Sequence, residues 1–239
     1  MSRADFRLSL VVPVYNEEES IDAFISAIDT ELAPLKDQLE IVFVNDGSRD
    51  RTREVVEQAI ARDPRVTLVN LARNFGKEAA MTAGLHQAKG DAIVPMDVDL
   101  QDPPSLILEF VKLWQTGDYD TVYGIRVDRS ADTPMKRLTA GGFYRFFNAL
   151  STSTKLPENA GDFRLIDRKV VEAIKQLPER NRFMKGLFAW AGFRAVGVPY
   201  ERPARHAGET KFNYWKLWNF ALDGLMSFSS WPLRVWSYI

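Results

Sequence analysis

Short apolar runs alternate with longer stretches of helical periodicity along the first half of the chain. Residues 8–14 (LSLVVPV), 41–44, 66–70 and 92–96 are largely continuous apolar runs, the pattern of strands covered on both faces. Between them the apolar positions recur at three- and four-residue intervals. This predicts helices over residues 16–32, 51–62, 77–88 and 105–115. Asn16 with Glu19 three residues on reads as a capping box, Asp63-Pro64 as a stop, and Gly90 as the close of the third helix. A fifth strand is expected at 119–123, further strands at 161–166 and 194–200, and helices at 134–150, 168–176 and 182–190.

Strands alternating with helices in this way predict an α/β fold with a mostly parallel, Rossmann-like doubly wound sheet flanked by helices. Sheets of that kind bind ligands outside the carboxyl ends of their strands. Tyr15, Glu17, Asp46, Asp97 and Asp99 all fall at such ends, so one rim should carry them all. Beyond Gly124 the alternation loosens into a charged loop, and residues 202–211 read as a basic, flexible loop.

From residue 212 the character changes. Phe212, Trp215, Trp218, Leu222, Leu225 and Met226 recur at helical spacing, opposite Asn213, Lys216, Asn219 and Asp223. No run reaches the ~18 apolar residues of a spanning helix, and Trp and Tyr beside Lys and Arg suit a bilayer interface. The organisation expected is a catalytic domain over 1–211 and an amphipathic membrane-interface segment over 212–239.

Composition narrows the partners. The chain has 239 residues, 46% of them hydrophobic, enough for one large core or two modest ones. A net charge of -1 leaves no nucleic-acid footprint. With no cysteine, a disulfide framework and thiolate metal sites are excluded. The N-terminal stretch has an apolar run of only residues 8–14 and no small-residue cleavage pattern, so it reads as a first strand rather than a signal peptide.

Candidate chemistry centres on Asp97-Val98-Asp99-Leu100-Gln101-Asp102. In an extended backbone, residues two apart project to the same side, so Asp97, Asp99 and Gln101 would converge. Converging carboxylates repel unless a cation lies between them, and hard oxygen ligands suit Mg²⁺ or Mn²⁺ shared with a substrate diphosphate. Asp102, before Pro103 and Pro104, reads as a helix start.

Five segments together, VPVYNE at 12–17, VNDGSRD at 44–50, RNFGK at 73–77, DVDLQ at 97–101 and GETK at 208–211, closely resemble the family-2 glycosyltransferases of the GT-A fold. Within them the chain is similar to the polyprenyl-phosphate branch, the dolichol-phosphate mannose synthases and bactoprenol glucosyltransferases. The resemblance implies that Pro13, Tyr15, Glu17 and Asp46 hold the donor's base and ribose. Asp97 would lie beside the ribose and diphosphate, with Asp99 and Gln101 as metal ligands. Arg126 matches a phosphate contact. Lys136 stands where the synthases carry Arg, which reduces a bidentate grip to a point charge. Arg205 and Lys211 match a basic pair on a mobile loop hinged at Gly208. Asp162 matches the acid of the bacterial enzymes and is expected to orient acceptor or sugar more than to remove a proton, with Arg164 as partner for the acceptor phosphate. His86 and His206 receive no role.

The implied reaction is inverting transfer from a UDP-sugar, glucose first, to a polyprenyl phosphate. It implies a bacterial plasma membrane with the catalytic domain facing the cytoplasm, a chain that continues into transmembrane helices, and an aromatic tail able to promote self-association. The alternatives are a transferase for a soluble glycan or protein acceptor, a non-catalytic nucleotide-sugar module, and a hydrolase using Asp97.

Overall fold

A computed structural model describes residues 3, 5–127, 160–178, 182 and 184–201. Lys136, Arg205, Lys211, the helix expected at 134–150 and the segment 212–239 lie outside the described residues. The described chain runs β1 (Leu8–Val14), α1 (Ile21–Glu31), a 3-10 turn (Ala33–Gln38), β2 (Leu39–Asn45), α2 (Thr52–Arg62), β3 (Val66–Asn70), α3 (Lys77–Gln87) and β4 (Ala92–Pro95). It continues through α4 (Leu106–Gln115), β5 (Thr121–Arg126), β6 (Ala160–Asp167), α5 (Arg168–Lys175), α6 (Met184–Trp190) and β7 (Ala195–Tyr200).

The strands form one sheet in the order β3-β2-β1-β4-β6-β5-β7. Neighbours pair in parallel except β6, which runs antiparallel between β4 and β5. The mostly parallel sheet expected from the alternation is therefore present, with one reversed strand that the alternation does not announce.

Both faces are covered, because strand residues alternate sides. Leu8, Leu10, Val12 and Val14 pack with Phe24, Ile28, Phe110 and Trp114 on one face. Val11, Val42 and Val44 pack with Ala80, Met81 and Leu85 of α3 and with residues of α5 and α6 on the other. Helices α1, α2 and α4 have no side-chain cap bond, so burial holds them in place, at about 1.5–3 kcal/mol for each large apolar side chain. Helix α3 lies especially close. A Cβ on Gly84 would stand 2.3 Å from Val11 Cγ1, so only glycine lets this helix press onto β1. That contact carries the first turn of α3, with Lys77 and Glu78, to the site rim.

Two expectations are corrected. The first helix starts at Ile21, not at Asn16. Asn16 has φ 54°, its N–H donates to Ser48 Oγ (3.0 Å), and its Oδ1 accepts the Arg49 N–H (2.8 Å). The loop after β2 thus takes the capping groups that a helix would have used. The second concerns 97–101: β4 ends at Pro95, residues 98–99 turn, and Leu100 has φ 54°. The period-two convergence of Asp97, Asp99 and Gln101 therefore does not apply, and a turn sets their directions instead.

Candidate active site

Strand register assembles the site. Val14 pairs with Asn45 and Val11 with Pro95, so continuing those parallel ladders sets Tyr15 beside Asp46 and Pro13 beside Asp97. Ile93 pairs antiparallel with Ile166, so the start of β6, with Asp162, lies toward the carboxyl end of β4, and Lys77 Nζ is within ion-pair distance of both Asp97 and Asp162. Arg126 and Tyr200 end β5 and β7 on this rim and pair with each other. One edge of the sheet thus brings together Pro13, Tyr15, Asp46, Asp97, Asp162 and Arg126, from strands far apart in sequence.

On the nucleotide side, Asp46 is buried, and its two oxygens accept the N–H groups of Phe75 (2.7 Å) and Gly76 (2.9 Å). Gly47 follows in the left-handed region at φ 68°, where a Cβ would meet the Arg73 backbone at 2.4 Å. The loops after β2 and β3 are therefore fastened together at Asp46. Glu17 sits in the turn after β1. Its N–H donates to Thr52 Oγ1 (2.8 Å), and its carboxylate accepts the Ser20 hydroxyl (3.0 Å).

The centre is a run of alternating charges. Lys77 Nζ lies 2.6 Å from Asp97 Oδ1 and 3.8 Å from Asp162 Oδ2, and Lys185 Nζ lies 3.5 Å from Asp162 Oδ1. Both carboxylates are only partly exposed, at 38% and 40% of the side chain. Burial opposes ionisation of Asp162, but Lys185, Lys77 and Arg164 outweigh it and hold its carboxyl below the usual range. Burial likewise works against the charged form of Lys77, and Asp97 and Asp162 reverse the effect, keeping the ammonium protonated. Arg164 is buried, with its guanidinium 4.6 Å over the Phe188 ring, and its charge reaches the rim through Asp162.

Asp99 and Gln101, two and four residues after Asp97, carry side-chain oxygen donors. The Gln101 N–H donates to Asp99 Oδ1 (3.2 Å), tying the two together, and the Gln101 side chain is largely covered. Among the described residues no three acidic or imidazole groups gather into a metal cage. The donor set fits a hard cation that takes most of its ligands from water and substrate phosphate, as Mg²⁺ commonly does.

Several participants are not apparent from the sequence. Asp102 is no helix start: α4 begins at Leu106, and the buried Asp102 Oδ1 accepts the Tyr200 hydroxyl at 2.5 Å. Arg126 Nε in turn donates to the Tyr200 oxygen (3.3 Å), so this acid anchors β7 and the phosphate-contact candidate together. Lys77 closes the RNFGK segment, although no role is expected of it, and Glu78 follows directly, which is the one signal that could have singled it out. Lys185 has no local signal at all.

Glu78 accepts the Met184 N–H at 3.0 Å. Burial pushes its carboxyl up to about 7, with Asp162 adding to the rise and the Met184 N–H, Lys77 and Lys185 opposing it. Between its ordinary value of 4.5 and about 7, the folded protein keeps a proton that the unfolded chain has lost, so stability falls as pH rises through that window. Glu78→Gln removes this dependence. Scanning calorimetry should find equal melting temperatures at pH 4.5 and a higher one for the variant at pH 8; a constant difference across that range would contradict the assignment.

Residues 9–175 match the family described as Glycosyl transferase family 2. The chain is 52% identical over 234 residues to a prophage bactoprenol glucosyl transferase homolog of Escherichia coli K12, covering 98% of this chain and 76% of that protein. Among solved structures it is similar to the mannosyltransferase PcManGT of Pyrobaculum calidifontis in complex with GDP-Man and Mn²⁺. That match has 23% identity and TM-score 0.58, covering 83% of this chain and 56% of that one. It is also similar to the glucosyl-3-phosphoglycerate synthase of Mycobacterium tuberculosis in complex with Mn²⁺, UDP and phosphoglyceric acid, at 20% identity and TM-score 0.57, covering 92% and 76%. An identity of 52% over 98% of this chain, on a sheet whose rim gathers the residues of all the sequence motifs within the described chain, makes this protein a glycosyltransferase of family 2 with the GT-A fold.

Proposed function

We propose that the enzyme transfers glucose from UDP-glucose to a polyprenyl phosphate, with inversion at the anomeric carbon. The observation that carries this reading is the 52% identity, over 98% of the chain, to a bactoprenol glucosyl transferase homolog. In this scheme Pro13, Tyr15, Glu17 and Asp46 hold uracil and ribose, and Asp97 orients the sugar-diphosphate end of the donor. Arg126, with Lys136, Arg205 and Lys211 from outside the described residues, supplies positive charge to the phosphates. A divalent ion held by Asp99 and Gln101, Mg²⁺ or Mn²⁺, would neutralise charge on the departing diphosphate.

The acceptor's chemistry fits the electrostatics at Asp162. A phosphate monoester has its second pKa near ~6 and is mostly a dianion at neutral pH, so its oxygen needs no strong base. Asp162, kept ionised by Lys77, Lys185 and Arg164, is a poor proton acceptor and a good orienting group. Each CH₂ of a polyprenyl tail exposed to water costs about 0.8 kcal/mol, so transfer takes place at a bilayer surface, with residues 212–239 as the membrane contact. No helix among the described residues is long and apolar enough to cross a membrane. The cytoplasmic face of a bacterial inner membrane supplies both substrates in this reading.

Turnover of UDP-glucose on undecaprenyl phosphate in detergent micelles tests the proposal. The rate should be flat in pH above about 7, once the phosphate is a dianion, and Asp162→Asn should lower kcat without changing the slope. Preference for a soluble glycan, or a pH limb that Asp162→Asn removes, would point to the rival acceptor class.

A further inference from the structure

We propose that Glu78 is a positioning residue of the transfer reaction: through the backbone of Met184 it holds Lys185 against Asp162. The inference rests on the transferase reading of the rim and adds a component that no motif marks.

Two adjacent residues of α3 meet two adjacent residues of α6. Glu78 accepts the Met184 N–H (3.0 Å), while its neighbour Lys77 bridges Asp97 and Asp162. Met184's own neighbour, Lys185, reaches Asp162 from the other side at 3.5 Å. The Met184 side chain is buried with Met81 and Leu85 of α3, and its sulfur lies 4.0 Å from Thr82 Oγ1, so the joint has an apolar floor. Phe188, one turn along α6 from Lys185, carries the Arg164 guanidinium. Helix α6 therefore meets both rim residues of β6, Asp162 and Arg164, and the Glu78 bond fixes where that helix begins.

Apolar packing alone would allow α6 to slide or turn by a fraction of a residue. A hydrogen bond donated by the Met184 N–H to a carboxyl oxygen in the first turn of α3 sets both depth and rotation, and with them the reach of the Lys185 ammonium. Glu78 has no substrate contact in this scheme and acts through Lys185.

The test uses the full chain and the variants Glu78→Ala, Glu78→Gln and Lys185→Met. Competitive amine labelling of Lys185, read by mass spectrometry without any acceptor, should be several-fold faster in Glu78→Ala than in wild type and near wild type in Glu78→Gln, whose carbonyl still accepts the Met184 N–H. In turnover, Glu78→Ala should lose roughly tenfold in kcat with little change in KM for the donor, Glu78→Gln should recover most of it, and the double variant with Lys185→Met should be no slower than Lys185→Met alone. Glu78→Asp, one bond too short for Met184, serves if the alanine variant does not fold. Equal labelling of Lys185 in all forms, or losses that multiply in the double variant, would overturn the proposal. Absent wild-type turnover on the lipid phosphate would instead count against the acceptor assignment, because the labelling needs no acceptor.

Discussion

Asp46→Ala is expected to destabilise the protein by about 2–4 kcal/mol and to abolish measurable nucleotide binding. Its carboxylate accepts the N–H groups of Phe75 and Gly76, and removing it leaves two donors without that acceptor, each at the lower end of about 1–3 kcal/mol because both are only part-buried. For a chain of this size the loss corresponds to a fall in melting temperature on the order of 5–10 °C. The functional effect follows from the same contact. The loop that Asp46 secures runs straight into Lys77 at the start of α3, so releasing it disturbs the nucleotide side of the rim and the central charge cluster together. Asp46→Asn keeps one carbonyl acceptor and should fall between. Thermal melts with UDP titrations measure both parts, and an alanine variant with the wild-type melting temperature would remove this loop joint from the account.

How much of this could be read from the sequence depends on whether the controlling contact is local. Strands β1 and β3 have the bounds that the apolar runs predict, Leu8–Val14 and Val66–Asn70, because burial on both faces writes itself directly into composition. The rim is legible for the same reason: in a parallel sheet, a carboxylate that ends an apolar run stands at a common edge. The antiparallel insertion of β6 is not legible, since nothing within Ala160–Asp167 states which strands it pairs with. Yet that insertion is what carries Asp162 to the rim, within reach of the Lys77 that also pairs with Asp97.

The local rules also fail where two loops compete for one set of polar groups. Asn16 has the residue type and spacing of a helix cap, but Ser48 and Arg49 claim its backbone and side chain, and the helix starts later. Asp102 precedes two prolines as a helix start would, but a hydroxyl 98 residues away takes its carboxylate. Lys185 is the extreme case, a single cation in a seven-residue helix whose meaning comes wholly from the packing of α6 on α3. These long-range polar contacts, unlike apolar burial, leave no periodic trace.

The central claim is that the rim binds a nucleoside diphosphate together with a divalent cation shared with Asp99. Calorimetry of UDP binding to wild type and to Asp99→Ala, each with Mn²⁺ and with a chelator, tests it most directly. Wild type should bind UDP far more tightly with Mn²⁺ than without it. Asp99→Ala should lose that gain, by more than the roughly 10- to 100-fold typical of an outer-shell partner, while keeping the weak metal-free binding that Tyr15 and Asp46 provide. Equal UDP affinity in Mn²⁺ and in chelator, or an undiminished Mn²⁺ gain in Asp99→Ala, would contradict the account.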